Sequence, residues 1–376
     1  MTERFDAVVV GAGPAGSAAA TILADRRRRV LLLEKDLFPR HKVCGDFLSA
    51  DALPSLDRLG VREEIESATS ERVTRGALYL PGTTAICFLL PHAALGISRF
   101  RLDDLLARRA QGAGADVRFT ARVLTARPDP SGIRVRFVHR QEEVDVLARA
   151  VIGAWGRWDA LDRVLERSFL GRRSRFFGWS RDFAGETAFL DGQVRLYLFA
   201  GGYCGLSRVE GGAVNLAGVV SERVRTRSGR GWEAVVDRAR LGNPALDADL
   251  SKLTAGPVGF LGTGPVFFTA KPPTEDGILM AGDAAGVLDP FSGEGQSAAL
   301  ASGILAAETA DRFLSGELSR EECARAYSEA WRRRFARRFA WSAAFRRLML
   351  NPAIGAIAGR IAGKRLVRFA ITATRR

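Results

Sequence analysis

The chain predicts an α/β architecture with an α+β insertion, and three observations predict it. An apolar run, Ala7-Val8-Val9-Val10, enters Gly11-Ala12-Gly13-Pro14-Ala15-Gly16 and then a small-residue stretch that reads as a helix. A second run, Gly277-Ile278-Leu279-Met280-Ala281, enters Gly282-Asp283-Ala284-Ala285-Gly286, followed by Pro290 and Gly293-Glu294-Gly295-Gln296. Between the two, short alternating strands punctuated by glycine separate a βαβ unit from a strand-rich insertion.

Each element of the first site has a physical reason. Gly11 allows a tight turn, Gly13 keeps a side chain away from a pyrophosphate, and Gly16 lets the helix pack close to the strand. The helix over 17–24 presents free N–H groups and its positive dipole end to the phosphates. A second strand, Val30-Leu31-Leu32-Leu33, ends at Glu34, 23 residues after Gly11, where an acid accepts hydrogen bonds from an adenosine ribose. The helix exit, Asp25-Arg26-Arg27-Arg28-Arg29, lacks the usual glycine, so a non-glycine residue is expected to turn left-handed there. Alone, the first turn says that a dinucleotide binds. With 282–295 as the far end, the pair points to FAD.

The remaining elements follow in order. Residues 51–66 read as a helix and 72–90 as strands interrupted by Pro81-Gly82. Arg99-Phe100-Arg101-Leu102-Asp103 opens a helix that ends near Gly112-Ala113-Gly114. Strands over 117–126 and 133–138 flank a Pro128-Asp129-Pro130-Ser131-Gly132 turn, and Val151-Ile152-Gly153-Ala154 return to a buried strand. Residues 159–263 are strand-rich, and 295–313 form an alanine- and serine-rich helix suited to close packing on a cofactor. The expected organisation is a discontinuous nucleotide domain (1–75, 100–158 and 264–325), a substrate domain (76–99 and 159–263) and a basic C-terminal helical region (326–376).

Bulk properties narrow the class. At 376 residues and 47% hydrophobic content the chain builds one large or two ordinary domains. Cys44, Cys87, Cys204 and Cys323 are scattered without a CxxC pair or histidine cluster. Neither disulfides nor a metal site are expected, and a cytoplasmic setting is. No signal-like segment precedes the first strand, and no apolar run reaches the roughly 18 residues of a membrane span. The net charge of +14 is concentrated, since 330–376 holds 13 Lys or Arg and no Asp or Glu, leaving about +1 elsewhere. Trp331, Phe335, Phe339, Trp341 and Phe345 are spaced as one apolar helical stripe beside arginines. Three readings of this segment stay open. It is a helical subdomain packed on the body, a peripheral contact with anionic membrane at roughly 1 kcal/mol per basic residue, or a nucleic-acid binder. The last is not expected, because no reading motif accompanies the charge. The small apolar run at 354–359 is broken by Arg360, Lys364 and Arg365 and does not span a bilayer.

The order of the glycine turn, Glu34, Arg40-His41-Lys42-Val43-Cys44-Gly45-Asp46, Arg99 with Asp103, Gly153-Ala154-Trp155-Gly156 and Gly282-Asp283 resembles the para-hydroxybenzoate hydroxylase superfamily. The Lys42-Val43-Cys44-Gly45 stretch resembles its geranylgeranyl reductase branch, whose members saturate isoprenoid double bonds with reduced FAD. The likeness covers residues 1 to about 320 in motif order. It implies a Rossmann-like FAD-binding domain, a mostly antiparallel substrate-binding sheet and a C-terminal helical region. It further implies that Asp283 contacts the ribitol or pyrophosphate region and that Arg99 pairs with a cofactor phosphate or ribose. Gly293, Glu294 and Gly295 would start a helix under the pyrimidine edge, where a helix N-terminus stabilises the charge of reduced flavin. Pro14, Ala15, Lys35, Cys44, Gly45, Val123, Ala154, Gly156 and Pro290 complete the cofactor-binding set. Cys44 is placed beside the isoalloxazine, where its thiol or the neighbouring Asp46 donates a proton, or where a small cysteine simply fills space.

The chain departs from that pattern in three places. Trp155 stands where the superfamily has the Asp of an Asp-Gly pair. Tyr203-Cys204-Gly205-Leu206-Ser207-Arg208 keeps the tyrosine of the branch's Tyr-x-Trp-x-Phe-Pro motif but replaces Trp by Gly205 and Pro by Arg208. A smaller side chain beside a cation suits a larger or more polar substrate than a bare polyprenyl chain. There is also no Trp-x-Trp-x-Ile-Pro sequence, which argues against a halogenase, and no second dinucleotide fingerprint. NAD(P)H or another external electron donor must therefore visit the flavin transiently. The expected function is an FAD-dependent oxidoreductase of a lipophilic or aromatic small molecule, reducing a carbon–carbon double bond with a proton from water, Cys44 or Tyr203. The alternatives are a flavin-dependent monooxygenase of an aromatic or polyketide-type substrate and a membrane-held flavin carrier.

Overall fold

The structure is a computed structural model that describes residues 2–82 and 85–349. Its first sheet runs in the order Thr274–Glu275, Ile278–Met280, Glu142–Gly153, Glu3–Val10, Val30–Leu33, Asp116–Arg118. The four inner strands are parallel and near-continuously apolar, as strands covered on both faces must be. Their register aligns the carboxyl ends. Val10 pairs with Leu33 and with Gly153, and Gly153 pairs with Met280. Gly11, Glu34, Ala154 and Ala281 therefore leave the sheet side by side, where open α/β sheets bind ligands. Arg122–Asp129 and Gly132–His139 extend the Glu142–Gly153 strand antiparallel.

Helices Pro14–Asp25, Arg99–Gly112 and Gly295–Leu314 pack around this sheet, and every residue of the first except Asp25 is buried. The left-handed residue expected at its exit is Arg27, with φ 62°. The single helix expected over 51–66 is broken. Leu53–Leu59 ends at Gly60 (φ 67°), and Arg62–Ser67 restarts beyond it.

The second sheet has nine strands, ordered Leu253–Ala255, Phe176–Gly185, Val214–Ser221, Gly202–Arg208, Gln193–Phe199, Arg72–Tyr79, Ile86–Gly96 and Phe47–Leu48, with Leu261–Pro265 also paired to Phe176–Gly185. Only Gln193–Phe199 against Arg72–Tyr79 is parallel. The division expected at residue 75 falls inside the Arg72–Tyr79 strand. Strand richness between 159 and 263 is also interrupted. Helices Glu222–Arg227, Glu233–Gly242 and Pro244–Leu250 occur there, and the latter two cover the sheet face that carries Cys204 and Leu206. The other face looks toward the first sheet across the cavity described below.

A last long helix, Arg320–Met349, lies over the turn at 280–295. Trp331 and Phe335 are buried and Phe339 packs on the core. The expected stripe ends there. Trp341 is 37% exposed, because two residues past Phe339 rotate it about 200° round the helix. Ser342 takes the inward position and accepts from the Asp289 N–H (2.8 Å). The side chain of Phe345 and all of 350–376, including the apolar run at 354–359 and its basic residues, lie outside the described residues. Among the described residues no helix is long and apolar enough to cross a membrane.

Candidate functional site

Two confluent cavities, of about 450 and 250 Å³, lie where the carboxyl ends of the parallel strands meet the second sheet. They share Gly13, Lys42, Val43, Ala154 and Arg157, so together they form one elongated groove from Glu34 to Gly295.

At the first end, Gly11 has φ 101°, and a Cβ there would lie 2.5 Å from the Ala154 carbonyl oxygen. A Cβ on Gly16 would lie 1.7 Å from the Gly11 carbonyl oxygen, so only glycine permits this strand–turn–helix approach. Pro14 and Ala15 open the helix on the groove, with no side-chain cap and no acid in the first turn. Its leading N–H groups are thus left for an anion. Glu34 is buried at the end of its strand and accepts from the Ala12 N–H (2.8 Å) and the Asp36 N–H (3.0 Å). Lys35 borders the groove but is ion-paired with Asp159 (2.9 Å). Val123, Ala154 and Trp155 line the same wall, and Gly156 lines the second cavity. The Trp155 indole is tucked inward and donates to Asp162 (3.2 Å).

A cationic wall follows. Arg99 opens its helix beside Gly13 and grips Asp103 with two bonds of 2.6 Å, while Arg40 reaches the same carboxylate at 3.0 Å. Burial opposes the charge on Asp103, yet Arg99, Arg40 and Lys42 hold its carboxyl below the usual value. Lys42, between the two cavities, is brought down to about 8 by burial and by Arg99, Arg40 and Arg157.

The far end is built by the Gly282–Ala284 turn, the Pro290–Ser292 turn and the Gly295–Leu314 helix. The Gly282 N–H donates to Ser302 (2.8 Å), and Asp283 faces Arg157 at 3.8 Å. Gly293 and Gly295 line the groove, whereas Glu294 is turned inward, 3.8 Å from Arg338. The Gly295 helix also starts without a side-chain cap or acid in its first turn. Gln296, which follows, donates to the Cys44 sulfur (3.1 Å), and its buried Oε1 has no partner among the described residues.

Cys44 and Gly45 line the cavity between these elements and are pinned to the second sheet. Asn215 donates to the Cys44 carbonyl (2.8 Å) and Ser207 to the Gly45 carbonyl (2.9 Å). The Asp46 N–H points at the Cys44 sulfur (3.4 Å). Asp46 itself sits behind Cys44, left-handed at φ 51°, and its carboxyl accepts from the Arg99 N–H (3.3 Å). Burial pushes that carboxyl up to about 8 while Arg99 pulls the other way. Burial and the Asp46 carboxyl raise the Cys44 thiol as well. Burial thus favours the protonated form of both groups.

The second sheet contributes alternate residues of Gly202–Arg208, with Tyr203, Gly205 and Ser207 facing the cavity. The Tyr203 hydroxyl donates to Asp289 (2.5 Å) and accepts from the Phe291 N–H (3.1 Å). Its proton is thus committed to Asp289 rather than held toward the cavity. Arg208 corrects the expectation of a cation beside Gly205. Strand alternation turns it to the opposite face, where it pairs with Glu71 (2.9 Å) and Asp191. Phe47, Phe88, Leu196, Val219, Phe268 and Phe291 make the rest of this cavity apolar.

These features fit FAD: a side-chain-free turn, two uncapped helix starts that open on one groove, a cationic wall, and an orphaned amide oxygen on Gln296. Residue patterns alone left out Lys42, Arg157 and Gln296, although Gln296 directly follows the glycine that starts its helix.

Comparison with known proteins agrees with the geometry. An FAD binding domain model matches residues 4–180. The chain is 30% identical over 344 residues to the digeranylgeranylglycerophospholipid reductase of Methanothrix thermoacetophila, covering 88% of this chain and 83% of that protein. It is 29% identical over 351 residues to the menaquinone reductase of Mycolicibacterium smegmatis, covering 88% and 80%. Among solved structures, the myxobacterial chondrochloren halogenase shares the fold, with a TM-score of 0.82 at 23% identity over 97% of this chain and 91% of that one.

Proposed function

This chain belongs to the geranylgeranyl reductase-like branch of the FAD-dependent oxidoreductases, and on that premise we propose that it reduces a carbon–carbon double bond of an isoprenoid-type lipophilic substrate. The observation that carries the reading is an apolar cavity bordered by the Cys44 thiol with the buried Asp46 carboxyl behind it, both of which burial pushes toward their protonated forms. A polyprenylated quinone and an isoprenoid glycerolipid, the substrates in the relatives' names, both belong to this class.

When bound, reduced FAD supplies the hydride for one carbon of the double bond. Cys44 holds the proton for the other. The Asp46 N–H and the Gln296 amide both point at its sulfur and fix its position. Asp46, whose carboxyl lies behind the thiol, resupplies the proton once Cys44 has given its own away. Tyr203 and Asp289 keep the Pro290–Ser292 turn in place, and the aromatic walls exclude water. Gly205 faces the cavity beside Leu196, whose side chain lies 3.0 Å from where a Cβ would stand. NAD(P)H or another external two-electron donor regenerates the cofactor. The exposed Arg332, Arg333 and Arg337 rest on anionic lipid, an attraction to which the basic charge of 350–376 adds.

The test is anaerobic mixing of the pre-reduced holoenzyme with menaquinone or a geranylgeranyl-bearing lipid in heavy water. Flavin reoxidation with a saturated product that carries solvent deuterium at the carbons of the reduced bond supports the reading. Turnover only in air, with an oxygenated product, replaces it by the monooxygenase alternative. For the lipid contact, the full chain should sediment with anionic but not neutral vesicles. A chain cut after Met349 with Arg332, Arg333 and Arg337 changed to Gln should not.

A further inference from the structure

Behind the two turns that border the groove lies a buried cluster for which the reaction has no use. Arg167 has no exposed side-chain surface, and its guanidinium donates to the carbonyls of Ala284 (2.7 Å) and Pro272 (2.7 Å) and to Asp162 (3.2 Å). Lys271 donates to the carbonyls of Asp283 (2.9 Å) and Arg157 (2.6 Å). Both cations lie on the Phe169 ring, at 5.4 and 4.2 Å. Asp162 is equally buried and accepts from Trp155 Nε1 and from the Asp159 N–H (2.8 Å).

Two cations therefore face one carboxylate, and backbone carbonyls make up the difference. Burial costs the Lys271 ammonium enough to bring it down to about 8, despite Asp162 and Asp283. An apolar filling would be cheaper if stability were all that the cluster supplied. What it does supply is geometry. Asp283 and Ala284 are consecutive residues of a three-residue 3-10 turn, an element too short to hold its own shape. Arg157 and Trp155 belong to the facing turn after Gly153.

We propose that Arg167 and Lys271 are positioning residues for FAD: they hold the Gly282–Ala284 turn by its own carbonyls and set its distance from the 153–157 turn, with Asp162 and Trp155 as the anchor. The assignment rests on FAD occupying this groove and is independent of which substrate is reduced.

The test uses purified holoprotein without substrate. Arg167→Met and Lys271→Met keep an unbranched apolar stem and remove the donors, and each should weaken FAD by about ten-fold or more, as loss of a supporting partner typically does. The bound-flavin visible spectrum should shift as well. Arg195→Met, which breaks a pair with Asp249 inside the second sheet, is the control for stability alone. It should lower the melting temperature comparably yet leave FAD affinity within about two-fold. Arg167→Lys should recover part of the affinity. Should the Met variants not fold, Arg167→Lys, which keeps the charge but not the forked donors, should weaken FAD about three-fold. Wild-type affinity in the Met variants, or in Arg167→Lys where those do not fold, overturns the proposal. So does an equal loss of affinity in Arg195→Met.

Discussion

Asp46→Asn is the substitution on which the proton supply turns. The residue is left-handed at φ 51°, a conformation that asparagine tolerates as aspartate does, so the backbone is left alone. Burial lifts the wild-type carboxyl from 3.8 to about 8, with Arg99 opposing. The native state thus holds a proton that the unfolded chain releases near its ordinary value. The stability this proton brings is fully present below about pH 4 and is lost as pH rises through about 8. At about 1.4 kcal/mol per pH unit, the upper bound is roughly 6 kcal/mol. Relaxation around a partly accessible carboxyl reduces this to a few kcal/mol. Asn stays neutral throughout, so the stability of Asp46→Asn relative to wild type should rise by that amount between about pH 4 and pH 8. Urea unfolding of the FAD-loaded proteins across this range measures it. Wild-type turnover should hold below about pH 8 and fall above it, whereas the variant should be slower throughout and lack that limb. Parallel stability curves, agreeing within about 0.5 kcal/mol at every pH, would refute the reasoning. A limb near pH 8 that survives in the variant would assign it to Lys42 or Lys271, both also brought to about 8.

Three further outcomes are expected. Cys44→Ser should retain FAD and its spectrum but slow anaerobic single turnover by about ten-fold or more, because a hydroxyl is a far weaker proton donor than a thiol. Tyr203→Phe should cost about 1.5–3 kcal/mol in unfolding experiments, the loss of a hydrogen bond to an acid, and change kcat by less than about ten-fold; a loss beyond about a hundred-fold would restore Tyr203 as the proton donor. Gly16→Ala places a methyl 1.7 Å from the Gly11 carbonyl oxygen and should yield protein without bound flavin, read as flavin absorbance per chain.

The parallel core was legible because its strands are short apolar runs that stop at glycine or an acid, a pattern that needs no tertiary knowledge. The two ends of the groove were legible for the same reason, and the missing helix-exit glycine pointed to Arg27. The helices over 222–250 were not. Arginine-rich and weakly patterned, they are set by packing on Cys204 and Leu206, although Ser221 and Asn243-Pro244 were readable caps. The orientation of Arg208 needed the register of its strand, and that of Trp341 needed the rotation of its helix. Arg167 and Lys271 carry no local signature. Their partners are backbone carbonyls more than a hundred positions away or in another turn, and carbonyls look alike in every sequence.

The Arg320–Met349 helix has a consequence for the order of events during synthesis. Its Tyr327 donates to the Met280 carbonyl, Ser342 receives the Asp289 N–H, and Arg346 stands 3.6 Å from the Asp289 carboxylate. The far end of the groove is therefore clamped by the part of it that leaves the ribosome last. A nascent chain can form the Gly11 turn early, since Glu3–Val10, Pro14–Asp25 and Val30–Leu33 are neighbours in sequence, and the walls of that end are complete once residue 265 has followed. Cofactor loading is then divided in time: the nucleotide end can be captured while translation continues, but the flavin end locks only after residue 346 has emerged.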